Sequence, residues 1–167
     1  MIKRRDLLKW IALLPALSLA RGAEAGVKVL SKFSKSDWQQ RLPPESYRVL
    51  FEEATERASS SPLNQEKREG LFVCAACYSP LFDSAHKFES GTGWPSFFQP
   101  RQDQVATKTD YFLFYPRTEY HCAHCGGHQG HVFDDGPPPT GKRYCNNGVA
   151  LRFVAKGEAL PAPRGLS

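Results

Sequence analysis

The chain has 167 residues with five cysteines, thirteen glycines, thirteen prolines and 12% aromatic residues, a composition that argues against both a helical bundle and a disordered chain. Its formal net charge is +5, but residues 1–25 carry +3 of this, from Lys3, Arg4, Arg5, Lys9 and Arg21 against Asp6 and Glu24. The +2 left over residues 26–167 forms no basic run, which speaks against a nucleic-acid partner.

Residues 1–25 read as an export signal rather than as fold. Lys3-Arg4-Arg5 precedes an apolar stretch from Trp10 to Ala20. That stretch is well short of the roughly 20 residues of a spanning helix. Basic, apolar, then small residues is the order of a secretory signal. The segment KRRDLLK resembles the twin-arginine signal, which carries folded proteins across a bacterial membrane, with Leu7 where that signal prefers Phe. Cleavage is expected after Ala23-Glu24-Ala25, or alternatively after Ser18-Leu19-Ala20. The expectation is a periplasmic or otherwise exported protein that meets the membrane only during export. An uncleaved segment would instead tether it there.

Residues 26–36 form a polar lead-in. Residues 37–58 read as helical: Asp37 can cap a first helix carrying Trp38 and Leu42, which Pro43-Pro44 ends. A second helix opens near Pro44 and carries Tyr47, Leu50, Phe51 and Ala54 at helical spacing. From Leu71 short apolar runs alternate with Gly and Pro turns: LFVC, PLF, WPSFF, YFLFYP, HVFDDGPPP, RYC and VALRFV. These read as strands of an antiparallel, mainly β body. Residues 155–167 read as a frayed tail.

Cys74-Ala-Ala-Cys77 and Cys122-Ala-His-Cys125 each offer two sulfurs from one tight turn, and Gly126 eases the second. Two such turns facing each other give the tetrahedral sulfur cage that zinc prefers. With no open position it would stabilise rather than catalyse. Disulfides, a redox pair and iron are the alternatives, and His121 and His124 are candidate extra ligands.

Cys145 is then left over, either as an inert buried thiol or as a reactive one. Arg143 and Asn147 stand two residues to either side, on the same face if the strand continues. The cation would favour the nucleophilic thiolate, and the amide would hold a ligand or a neighbouring His. Trp94 stands on a loop constrained by Gly91, Gly93 and Pro95, unless it is a core residue. His128 and His131 supply two imidazoles near Phe133, with metal binding or plain packing as the bland alternative.

Five blocks in order then identify a resemblance: Thr55-Glu56-Arg57, Cys74–Cys77, GTGWPSF at 91–97, CAHCGGHQGHVF at 122–133 and RYCNNGVALRF at 143–153. The chain resembles the MsrB family of peptide methionine-R-sulfoxide reductases over residues 37–154. That resemblance implies twisted antiparallel sheets of the β-tent kind with N-terminal helices. It implies structural zinc on Cys74, Cys77, Cys122 and Cys125. Cys145 would be the nucleophile, attacking the sulfoxide and becoming a sulfenic acid while an acid protonates the oxygen, His131 with His128 and water. Trp94 would pack on the substrate methyl group with Phe133 nearby, and Arg143 and Asn147 would complete the site.

The expected partners are an oxidised protein or peptide and a thioredoxin-like or other thiol reductant. Nothing in the sequence demands a dimer, and a monomer is expected. Two departures stand out. Thr92 occupies the place of a frequent resolving cysteine, so direct reduction of Cys145 by an external thiol is expected, with a zinc cysteine as the alternative resolver. Asn147-Gly148-Val149 replaces the family's common NSA. The rival readings are a non-enzymatic zinc-ribbon module and a binding-only relative of the enzymes.

Overall fold

A computed structural model describes residues 31–111 and 115–166. The proposed export signal of residues 1–25 lies outside the described residues. Helix α1, Lys35–Arg41, starts two residues earlier than the sequence suggests, because Ser34 caps it and Asp37 closes a capping box. The Ser34 hydroxyl accepts from the Asp37 amide at 3.2 Å, and the Asp37 carboxylate accepts from the Ser34 amide at 2.8 Å. Pro43 holds Leu42 extended and so ends the helix. Helix α2, Pro44–Glu52, opens on a proline whose missing N–H costs nothing there. It stops six residues short of the expected end, where Glu53 turns left-handed at φ 56°. Trp38, Tyr47 and Leu50 bury the inner faces, and Trp38 stacks on Phe51 at 5.7 Å.

The rest is mainly β, in two antiparallel sheets. Strands β1 (Gly70–Cys74), β2 (Pro80–Asp83) and β9 (Leu151–Ala155) form the first, in the order β2-β1-β9. The second contains β3 (Lys87–Phe88), β4 (Ser96–Phe97), β5 (Val105–Asp110), β6 (Arg117–Cys122), β7 (His128–Phe133) and β8 (Arg143–Asn146). Their order is β3-β4-β8-β7-β6-β5. Aromatic rings fill the space between the sheets. Phe97 stacks on Phe82 at 4.2 Å and meets Phe72 edge-on at 4.9 Å, while Tyr120 meets Tyr144 at 5.3 Å. Each such buried side chain contributes about 2 kcal/mol. Among the described residues no helix is long and apolar enough to cross a membrane.

Two expectations are corrected. Of the YFLFYP run, residues 112–114 lie outside the described residues, while Tyr111 and Tyr115 belong to no strand and are 76% and 60% exposed. The strand lies just before it, where Val105, Thr107 and Thr109 alternate along a mostly polar segment. The C-terminal tail is anchored near its end. The Arg164 amide donates to the Cys77 carbonyl at 3.1 Å, and its guanidinium donates to the carbonyls of Ala75 and Ala76. The guanidinium also lies 4.3 Å from the Tyr78 ring centre. A turn at Gly165 (φ 68°) then brings Leu166 opposite Ser31. One arginine thus satisfies carbonyls that a tight turn leaves open.

Arg164→Ala is expected to lower unfolding free energy by about 1–3 kcal/mol through these lost bonds. A urea titration checks it: the midpoint falls while the slope stays unchanged.

Candidate functional site

The two Cys-x-x-Cys turns have one backbone pattern. The Tyr78 amide donates to the Cys74 carbonyl and the Gly126 amide to the Cys122 carbonyl, both at 2.9 Å. The Cys74 amide donates to Ser79 and the Cys122 amide to Gly127, again at 2.9 Å. The residue after each second cysteine is left-handed, Tyr78 at φ 65° and Gly126 at φ 73°. The four sulfurs are buried and lie within 4.8 Å of one another. Cys74–Cys125 and Cys77–Cys122 are separated by 3.7 and 3.6 Å, far beyond the roughly 2.0 Å of a disulfide. Sulfurs about 2.3 Å from a tetrahedral zinc would be about 3.8 Å apart, so the donor set fits that ion. Hydrogen bonding among the crowded thiols, Cys122 foremost, pushes Cys74 and Cys125 well above the ordinary thiol range, and a cation would reverse this. His124 turns away to Gln104 at 3.0 Å, and the cluster holds no histidine.

The second cluster follows from strand register. Ser96 pairs with Cys145, Cys145 with His131, His131 with Glu119 and Glu119 with Lys108. These five residues form one row across the sheet and share a face. The next row on that face runs Arg143, Phe133, Arg117 and Asp110; its Phe133–Arg117 step follows from the neighbouring Val132–Thr118 pair. Three residues apart on a regular strand, His128 and His131 would point to opposite faces. A bulge in the β6–β7 pairing turns His128, and the two rings meet edge-on at 5.5 Å.

Each imidazole is backed by a carboxylate and a cation. His128 Nδ1 lies 2.9 Å from Glu119, whose other oxygen is 3.2 Å from Lys108 Nζ. His131 Nε2 lies 2.8 Å from Asp110, which also takes Arg117 at 2.5 Å. Burial would raise Glu119, but His128 and Lys108 outweigh it and hold the carboxyl below its ordinary range. Burial pushes His131 down, against the pull of Asp110.

Cys145 is half-buried, and burial pushes its thiol up. The Arg143 charge and the Thr92 hydroxyl pull it back only in part. The expected thiolate stabilisation by Arg143 is therefore present but outweighed. Arg143 is shared with Asp135, which it grips at 2.8 and 2.9 Å, and it lies 4.3 Å from the Phe133 ring centre. Phe133 thus supports Arg143. A cavity of about 350 Å³ opens here, lined by Phe88, Glu89, Ser90, Asp135 and Arg143 among others.

Asn147 does not share the Cys145 face as the sequence reading expects, because the strand ends at Asn146. Its amide is already occupied: Nδ2 donates to the Gln129 carbonyl and Oδ1 accepts from the Glu56 amide, both at 3.0 Å. Trp94 is half-buried on its loop rather than in the core, and its Nε1 donates to the Glu56 carbonyl at 3.2 Å. Gly93, at φ 88°, leaves its carbonyl to accept from Ser59 and Asn64.

Glu56 joins these parts. Its carboxylate accepts from the amides of Gly148 at 2.6 Å and Val149 at 3.0 Å, and so caps the turn after Asn147. Burial pushes its pKa up while those amides restrain it. A Cβ on Gly148 would meet Ser61 Oγ at 1.9 Å, which explains the glycine. Glu56 has a sequence signal only in the Thr55-Glu56-Arg57 block. The roles of Glu119 and Asp110 have none beyond polar alternation in their strands.

Residues 42–155 match the SelR domain family. The chain is 48% identical over 133 residues to the peptide methionine sulfoxide reductase B1, chloroplastic, of Arabidopsis thaliana, covering 79% of this chain and 66% of that protein, just under two thirds of its length. It is 50% identical over 126 residues to the peptide methionine sulfoxide reductase MsrB of Methanosarcina barkeri, covering 75% and 89%. Against the MsrB of Agrobacterium fabrum it is 50% identical over 121 residues, covering 72% and 90%.

Elemental analysis of the purified protein is expected to find a single zinc per chain, and none in Cys122→Ser. Because binding of such an ion is worth on the order of 10 kcal/mol, that variant should lose its cooperative melt. Acid should release the metal, since the ligands must stay deprotonated.

Proposed function

The chain belongs to the SelR domain family, whose MsrB members are peptide methionine sulfoxide reductases, and we propose that it reduces the R epimer of methionine sulfoxide in peptides and proteins through Cys145. The observation that carries this reading is the register that sets Cys145 opposite His131, with His128 turned onto the same face. Trp94, tied to Glu56, offers a flat ring for the methyl group, which would set the handedness of the sulfur.

The chemistry then runs in two stages. The Cys145 thiolate attacks the sulfoxide sulfur while the imidazole pair delivers a proton to the oxygen. The oxygen passes to the Cys145 sulfur, leaving methionine and a Cys145 sulfenic acid. The substrate sulfur gains two electrons and Cys145 loses two. Two external thiols then restore the Cys145 thiol, releasing water and becoming a disulfide. Thr92 cannot act as a resolving thiol, and the other four cysteines form the metal cage. The cage residues would hold structural zinc, which supplies stability and no step.

The reductant would be a small protein of the thioredoxin kind or another thiol, and the enzyme would act as a monomer. The Lys3–Arg5 and Trp10–Ala20 segments support an exported enzyme that repairs exported proteins. Cell fractionation tests this location: Arg4→Lys with Arg5→Lys should retain the protein inside.

Incubation with both epimers of a peptide methionine sulfoxide and excess dithiothreitol should remove the R epimer alone. Cys145→Ser should reduce turnover below detection while keeping its zinc and its melting temperature. Consumption of neither epimer by folded, zinc-loaded protein would sink the reading. Peptide mapping after turnover should find Cys145 in no intramolecular disulfide.

A further inference from the structure

Residues 53–60 form no helix or strand, so the place of Glu56 depends on its own hydrogen bonds. Its amide, carbonyl and carboxylate all bond to the candidate site. The carboxylate takes the amides of Gly148 and Val149 at 2.6 and 3.0 Å, one on each oxygen. The amide donates to Asn147 Oδ1 at 3.0 Å, and the carbonyl accepts from Trp94 Nε1 at 3.2 Å. Asn147 stands two residues after Cys145. Glu56 therefore bridges the end of the Cys145 strand and the indole, although Trp94 is 38 residues away along the chain and Gly148 is 92.

The segment that follows Glu56 presses on both loops. The Ser59 amide donates to the Gly93 carbonyl at 2.7 Å, and Asn64 Nδ2 donates to the same carbonyl at 3.0 Å. Two positions without side chains receive it. A Cβ on Gly93 would meet Ser59 Oγ at 2.8 Å, and a Cβ on Gly148 would meet Ser61 Oγ at 1.9 Å. Packing this close leaves the two loops little freedom to move apart from the segment between them.

We propose that Glu56 is a positioning residue that sets the place of the Trp94 ring relative to Cys145. This rests on the reductase reading above, in which that ring takes the substrate methyl group, and it assigns what holds the ring there. Glu56 itself touches no reacting atom. A carboxylate suits the position because two amides at the start of a turn converge on it and have no acceptor within the turn. Hydrogen bonds to a charged acceptor are about twice as strong as neutral ones. A glutamine would keep one acceptor and turn an N–H against the second amide.

The test uses the full zinc-loaded chain. Its three tryptophans give three indole N–H signals in ¹H–¹⁵N spectra, and Trp94→Phe identifies one of them. In Glu56→Gln, and further in Glu56→Ala, the Trp94 signal should move upfield and exchange faster with water while the other two stay in place. KM for an R-sulfoxide peptide should rise roughly tenfold in Glu56→Gln, and more in Glu56→Ala. The change in kcat should be smaller, because contact with the ring favours bound substrate and transition state alike. Zinc content should stay unchanged. An unmoved Trp94 signal in both variants, or a fall in kcat at constant KM, overturns the proposal. Should both fail to fold, Asn64→Ala carries the test: it removes one bond from the Gly93 carbonyl and leaves Glu56 intact. There the same signal should shift and KM should rise about threefold, and no change in either overturns the proposal. The indole signal is read without turnover, so an inactive wild type would refute the reductase reading alone.

Discussion

The four-sulfur cage is the constraint on which the other parts depend, because it joins the two sheets. Cys74 ends β1 in the three-stranded sheet, and Cys122 ends β6 in the six-stranded one. Bringing four thiols this close without a cation leaves at least two of them forced toward the neutral form. A divalent ion held there would turn that crowding into a staple between layers. The same staple is tied into the reaction centre. Gln129 Nε2 donates to Cys74 Sγ at 3.6 Å, and its carbonyl accepts from the Asn147 side chain. Asn147 accepts from Glu56, and Glu56 receives Trp94. Cage and indole are thus linked through three polar residues, two of them buried.

Much of this was legible in the chain. The knuckles, the leftover cysteine, the loop tryptophan and the histidine pair all rest on residue types with few alternative uses. Geometry that depends on pairing was not legible. Nothing in His128-Gln-Gly-His131 announces a bulge, yet without it the rings would face opposite sides of the sheet. Asn147 was misplaced for a similar reason: spacing of two implies one face only while the strand lasts. The carboxylates behind the imidazoles were hidden because Glu119 and Asp110 come from strands whose partners only the fold reveals. The tail was misread because its contacts run through one arginine, and no apolar pattern marks them.

The electrostatics of the site follow from half-burial. Cys145 loses hydration, and Arg143 does not fully compensate because Asp135 draws on the same guanidinium. The thiol therefore stays protonated more than an isolated Cys-Arg pair would suggest. Each imidazole has a carboxylate within 3 Å, yet burial still holds His131 below its ordinary range. The paired charges cluster around the two imidazoles, and Cys145 is left comparatively unassisted. On the proposed reading this is a sensible division. A thiol held mostly neutral is protected from adventitious oxidation, and protonation of the sulfoxide oxygen makes the substrate sulfur electrophilic enough for the small thiolate fraction to react.

The sulfur inventory carries the argument one step further. Four of five cysteines form the sulfur cage, so a disulfide to Cys145 would remove one of the four sulfurs that would hold a metal there and loosen the joint between the sheets. In place of a resolving thiol stands a line of hydroxyls: Ser90 Oγ lies 2.8 Å from both Thr92 Oγ1 and Ser96 Oγ. Hydroxyls can hydrogen-bond an anionic sulfur but cannot displace oxygen from a sulfenic acid. On the proposed reading, the oxidised centre must then wait for a thiol from outside. A cavity of about 350 Å³ lies beside Ser90 and Arg143, the latter two residues from Cys145 along the strand. On that reading the sulfur of the chain serves stability, and the reducing sulfur comes from solution.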